Sequence, residues 1–94
     1  MNSKVISVQV FTSDECPYCP KAMEMVKEVS KKYKEVVWTQ TSIDKFAGRK
    51  LALNFGIPAV PAIVIDGKLI FIGIPSTNEF EQEIQKKISG MVLK

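Results

Sequence analysis

Apolar and polar positions along this chain follow two rhythms, and the changes from one to the other mark its elements. Residues 5–11 (VISVQVF) alternate with period two, with Ile6, Val8 and Val10 on one face and Ser7 and Gln9 on the other, which predicts a first strand. Its mixed character implies partial cover on both sides. Ala22, Val26, Val29 and Tyr33 then fall at helical spacing, Met23 widens the stripe, and Lys21, Lys27, Lys31 and Lys32 lie mostly off it. The pattern predicts an amphipathic helix over 21–33, lying on the sheet. Residues 35–43 (EVVWTQTSI) are rich in β-branched side chains and read as a second strand. Strand, helix, strand implies a parallel pair joined by a right-handed crossover.

Asp44 stands where an N-cap would, ahead of a second helix over 45–55 that Gly56 closes, with Phe46, Leu51 and Phe55 as its core contacts. Gly48 inside this helix weakens it by about 1 kcal/mol relative to alanine, which predicts a short or imperfect element. Ala62–Ile65 and Lys68–Ile72 flank Asp66-Gly67, a dipeptide suited to a type I′ turn, and so predict an antiparallel hairpin. Ser76-Thr77-Asn78-Glu79 has the spacing of a capping box that opens the last helix. Phe80, Ile84 and Ile88 form its buried stripe, acids lie early and Lys86 and Lys87 late, and Gly90 is placed to end it. The order is β-α-β-α-β-β-α: an α/β fold with a four-stranded mixed sheet and helices on both faces.

Composition narrows the class. At 94 residues and 46% apolar, the chain is expected to be one domain with a workable but not generous core. Its net charge of +3 comes from lysines interleaved with acids, so no basic stripe for nucleic acid stands out. No signal-peptide apolar segment and no membrane-spanning run is visible, so a cytoplasmic protein with no membrane partner is expected.

The candidate chemistry is Cys16-Pro17-Tyr18-Cys19, which holds both cysteines of the chain. Residues at i and i+3 on a helix are about 5–6 Å apart at Cβ, so a small adjustment joins or parts two sulfurs there. The pair lies at a strand-to-helix junction, with Cys16 at or near an N-cap and Pro17 suited to N1. The unpaired N–H groups and partial positive charge of a helix start favour thiolate, the nucleophile of disulfide exchange. Two other readings stand beside this one. A plain staple over so short a loop adds little, and half of a four-thiolate zinc or iron–sulfur site would need a second chain. With no histidine and no further cysteine, a self-contained zinc site is excluded.

Cys-Pro-Tyr-Cys after Phe11-Thr12-Ser13, followed some forty residues on by 56–67 (GIPAVPAIVIDG), resembles the thioredoxin/glutaredoxin family, and most of all its small archaeal members. The likeness runs from Val5 to about Ile88 and implies the thioredoxin-like fold and dithiol–disulfide oxidoreductase activity. It implies that Cys16 attacks a substrate disulfide and that Cys19 resolves the mixed disulfide, with Pro17 and Tyr18 shaping the loop. Val60-Pro61 is similar to the family's cis-proline motif, in which the residue before the proline pairs with an extended substrate. Pro58 competes for that place, but Pro61 directly precedes the strand. Gly73 matches a family glycine that lets a partner chain approach, and Val60, Gly73, Ile74 and Tyr18 would form a docking rim.

Two departures choose between branches. Glutaredoxins carry a basic residue before the first cysteine and a Gly-Gly cluster after the last strand, whereas this chain has Asp14-Glu15 and Gly73-Ile74-Pro75-Ser76. Thioredoxins carry Trp-Cys-Gly-Pro-Cys and a buried acid in the preceding strand, where Val10 stands. The expected function is reduction of protein disulfides in the manner of thioredoxin, with a thioredoxin reductase-type flavoprotein as electron donor. The expected protein is a monomer without a cofactor of its own. The alternatives are a glutathione-dependent glutaredoxin, an oxidase or isomerase, and a dimeric iron–sulfur carrier.

Overall fold

Strand β1 (Ile6–Thr12) runs between β2 (Val36–Ser42) and β3 (Ala62–Ile65) in the computed structural model, which describes residues 5–92. With β4 (Lys68–Ile72) the sheet order is β2-β1-β3-β4; β1 and β2 are parallel, and the β1–β3 and β3–β4 pairs are antiparallel. Helices α1 (Cys19–Lys32), α2 (Phe46–Phe55) and α3 (Thr77–Val92) complete the order expected from the sequence. Among the described residues no helix is long and apolar enough to cross a membrane.

Side-chain alternation divides the sheet between two cores. Ile6, Val8, Val10, Ile63 and Ile65 point to the face covered by Val26 and Val29 of α1 and by Phe80 and Ile84 of α3. Phe11, Ala62 and Val64 point the other way, against Ala52 of α2 with Phe55 and Ile57. The four residues of β3 are all fully buried, as a strand covered on both faces requires. The same double cover extends β1 one residue past its expected end, so that Thr12 is buried with its hydroxyl accepting a hydrogen bond from Gln40 Nε2 at 3.0 Å.

Local signals account for two elements directly. The β3–β4 turn holds Asp66 and Gly67 both at positive φ, as a type I′ turn needs, and Asp66 ties back to β1 by accepting from the Ser7 N–H at 2.9 Å. The capping box closes reciprocally: the Glu79 N–H donates to Ser76 Oγ at 3.0 Å and the Ser76 N–H donates to Glu79 Oε1 at 3.1 Å.

Four expectations need correction. Helix α1 begins at Cys19 rather than 21, with Tyr18 at the N-cap and Pro20 in its first turn, so Cys16 is not the cap and Pro17 is not N1. Residues 13–16 are instead a turn closed by the Cys16 N–H donating to the Ser13 carbonyl at 3.1 Å. Helix α2 is entered through Lys45, whose cap receives no side-chain bond, so Asp44 does not cap it. Phe46 (82% exposed) and Leu51 (37%) face outward, while Gly48, Ala52 and Phe55 face the sheet. Gly90 lies inside α3, which continues to Val92.

Gly48 is also more than a weak point in its helix. A Cβ added there would collide with the Ser42 carbonyl and lie 3.1 Å from Thr41 Cγ2, so its lack of a side chain sets how closely α2 approaches β2. Gly48→Ala should therefore destabilise the protein by about 1–3 kcal/mol, the usual range for overpacking. Gly90→Ala, where an added Cβ meets nothing, should stabilise α3 by about 0.5–1 kcal/mol. Urea denaturation of both variants checks the opposite signs.

A polar link joins α1 to α3. The Tyr33 hydroxyl donates to Glu81 Oε2 at 2.7 Å, Lys32 Nζ lies 3.4 Å from the same oxygen, and Gln85 Nε2 donates to the Tyr33 oxygen at 3.0 Å. The Tyr33 hydrogen bond, followed by Lys32, holds the Glu81 carboxyl below its usual 4.5. A carboxyl lowered on folding contributes stability that is complete above the ordinary value and is lost as the pH falls through the lowered one. The stability difference between wild type and Tyr33→Phe should thus be largest near neutrality and shrink in acid, measured by urea titrations between pH 6 and pH 3.

Candidate active site

The register of the sheet collects four connections at one end. Strand β1 exits at Thr12, opposite Ser42 at the exit of parallel β2. Antiparallel β3 enters at Ala62 opposite Phe11, and β4 exits at Ile72 opposite Ala62. The loops after Thr12, after Ser42, before Ala62 and after Ile72 therefore share this end. The sequence-selected residues lie in three of them, or just beyond.

The first loop carries the cysteines. Cys16 and Cys19 are joined as a disulfide with their Cα atoms 5.5 Å apart. Cys19 is the first residue of α1 and only 2% exposed, on the inner stripe with Ala22 and Val26. Cys16 is half-buried, and Pro17 and Tyr18 beside it are exposed, Tyr18 by 63%. Cys19 is thus held in the fold, whereas Cys16 is only partly covered. The Cys19 N–H donates to the Cys16 carbonyl at 3.4 Å, and the Ala22 N–H donates to the Tyr18 carbonyl at 3.2 Å, so the loop passes into helix without a break.

The loops before β3 and after β4 meet each other. The Val60–Pro61 peptide bond is cis and Pro61 is buried. The Gly73 N–H donates to the Pro61 carbonyl at 2.7 Å. Gly73 adopts φ +92°, a conformation that side chains disfavour, and this turns the chain from β4 toward Pro75. Val60 is half-buried and packs against the core around Phe11 and Ala62, whereas Ile74 is 38% exposed. The structure thus brings Cys16 to Cys19, and Pro61 to Gly73, and sets both pairs at the same end of the sheet.

Charges of both signs lie near this end, with exposed Lys21 and Lys45 and with Arg49 Nε donating to the Ile43 carbonyl at 3.3 Å. Asp14 and Glu15 are exposed, and Asp44, in the loop after β2, accepts hydrogen bonds from the Asp14 N–H and the Ser13 hydroxyl. Asp44 is the residue that the sequence reading missed here, because a helix cap explained it locally; the parallel pairing of β1 with β2 was the signal that it lies level with Asp14. Beneath the loop, Val10 is fully buried in the apolar core, and Thr12 is the buried polar side chain among the described residues.

A strand, a C-x-x-C disulfide at the start of a helix and a cis-proline across the sheet are the parts of a redox fold. Residues 6–85 match the family model of the thioredoxin domain. This chain belongs to the thioredoxin family. It is 39% identical over 84 residues to a protein of Methanothermobacter thermautotrophicus named "Probable Thioredoxin", covering 89% of this chain and 98% of that one. A protein of the same name from Archaeoglobus fulgidus is 40% identical over 86 residues, covering 92% and 93%. Mitochondrial thioredoxin 3 of Saccharomyces cerevisiae, in its oxidized form, shares the fold with a TM-score of 0.73 at 22% identity, covering 88% of this chain and 79% of that one. This family member is a thioredoxin-like dithiol–disulfide oxidoreductase, with its one cysteine pair at the C-x-x-C spacing the chemistry requires.

The unequal exposure of the two sulfurs has a direct readout. After reduction, a short pulse of iodoacetamide should label Cys16 well before Cys19, as read by peptide mass mapping. Equal labelling would mean that reduction opens the loop.

Proposed function

We propose that this thioredoxin-family protein reduces disulfides in cytoplasmic proteins, with Cys16 as the attacking and Cys19 as the resolving thiol. The observation that carries the assignment is the pairing of a partly exposed cysteine with a buried one. The Cys16 thiolate attacks one sulfur of a substrate disulfide, forming a mixed disulfide and releasing the first substrate thiolate. Cys19, losing its proton, then attacks the Cys16 sulfur, breaks the mixed bond and releases the second. The substrate gains two electrons and two protons, and the Cys16–Cys19 bond holds the oxidised state. Only the Cys16 sulfur has to meet the substrate, so the second step needs no rearrangement of the fold.

Substrate chains dock across the rim formed by Tyr18, Val60, Gly73 and Ile74, with Pro17 and Pro61 fixing its shape. Gly73 supports this reading because an added Cβ would meet open space, so a neighbouring backbone has room to approach. Tyr18 and Ile74 offer exposed apolar area.

A flavoprotein reductase that uses a nicotinamide cofactor returns the two electrons. Glutathione fits this site poorly as the donor. Its carboxylates would face Asp14, Glu15 and Asp44, and Pro75 after the last strand has no N–H to give. Lys21 is the nearest cation in sequence on α1, and it is exposed.

Cys16→Ser should abolish turnover, and Cys19→Ser should retain the first step and accumulate mixed disulfides with target proteins, visible on non-reducing gels. A thioredoxin reductase should re-reduce the wild-type disulfide at least about tenfold faster than millimolar glutathione does. Rapid turnover with glutathione as sole donor would move the protein to the glutaredoxin branch.

A further inference from the structure

The loop between β2 and α2 reaches the redox loop through a side chain that its own helix leaves unused. Asp44 immediately precedes Lys45, the N-cap of α2, yet that cap receives no side-chain hydrogen bond. The Asp44 carboxylate instead accepts from the Asp14 N–H at 2.6 Å and from the Ser13 hydroxyl, which lies 3.2 Å from Oδ1 and 3.4 Å from Oδ2. Register explains the meeting. The pairing ends at Thr12 and Ser42, the Ile43 N–H then donates to the Thr12 carbonyl at 2.8 Å, and two residues past each strand Asp14 and Asp44 arrive level. Asp44 is itself held, its N–H donating to Ser42 Oγ at 3.1 Å.

Ser13 carries this restraint to the cysteine. Its hydroxyl accepts from the Glu15 N–H at 3.4 Å, and its carbonyl accepts from the Cys16 N–H at 3.1 Å. The turn that presents Cys16 is therefore tied at Ser13 and Asp14 to one carboxylate 30 positions away.

We propose that Asp44 is a positioning residue for disulfide reduction: through Ser13 and Asp14 it holds the turn ahead of Cys16 and so sets the direction in which the Cys16 sulfur meets a substrate disulfide. Attack on a disulfide runs along the S–S axis, and loss of alignment between reacting atoms slows a reaction without altering the reacting groups. This inference rests on the reduction of protein disulfides proposed above.

The test uses the full chain, reduced with dithiothreitol, and measures kcat/KM for reduction of the insulin interchain disulfides, with circular dichroism confirming the fold. Wild-type turnover alone tests the underlying reading, and its absence would sink that reading before any Asp44 variant is made. Asp44→Ala should lower kcat/KM about tenfold, while Asp44→Asn, which keeps an acceptor oxygen and loses the charge, should stay within about twofold of wild type. Adding Ser13→Ala to Asp44→Ala should cost little more, since both break one chain of bonds. Asp44→Ala at wild-type speed overturns the proposal. So does Asp44→Asn as slow as Asp44→Ala, which would assign the effect to charge. If Asp44→Ala fails to fold, Ser13→Ala decides: slower turnover supports the proposal and wild-type speed overturns it.

Discussion

Strand β1 is hydrogen-bonded along both edges and covered on both faces, and the rest of the molecule follows from that confinement. A strand so placed has most of its backbone groups paired and its apolar side chains withdrawn from the surface. Ile6, Val8, Val10 and Phe11 are all fully buried. Its two neighbours run in different directions relative to it, and this fixes which loops share its exit. The parallel partner brings the Asp44 loop there and the antiparallel one brings Val60-Pro61. The redox loop is thus the continuation of a strand paired on both edges.

The dithiol exploits a boundary between that core and solvent. Cys19 sits on the inner stripe of α1 among apolar neighbours, and Cys16 lies outside the first helical turn. Joining them spans a short loop, so the bond changes little in the stability of the unfolded chain compared with one that closes a long loop. Its geometric asymmetry suits exchange chemistry instead, which needs one accessible sulfur and one nearby but shielded.

Acids cluster in the redox loop itself, with cations on the helices beside it. The net charge is +3, yet the residues around the redox loop contribute Asp14, Glu15 and Asp44. Tyr18 and Ile74 leave apolar surface exposed at this end. At the other extreme of α1, the bonds from Tyr33 and Lys32 to Glu81 fasten the helix to α3 and hold in place the element that shelters Cys19.

Features determined by residues close together in sequence were legible without coordinates. The cysteine spacing, the Asp66-Gly67 turn, the Ser76 and Glu79 capping box and the helical stripe from Ala22 to Val29 each depend on a few neighbouring residues. The same neighbours act in the folded chain. The family likeness, carried by two motifs forty residues apart, agreed with the element order that the periodicity predicts and pointed to the cis bond, which nothing local in Val60-Pro61 distinguishes. Tertiary structure decided what depends on distant partners. Asp44 reads as a helix cap until β1 and β2 pair and bring Asp14 and Ser13 within its reach. Gly48 reads as a flaw until the Ser42 carbonyl lies against it, and Phe46 reads as core until the fold leaves it exposed. The start of α1 at Cys19 rather than beyond it follows from the turn that Ser13 closes. In each case propensity offered a local use for the residue, and a contact made only on folding claimed it instead.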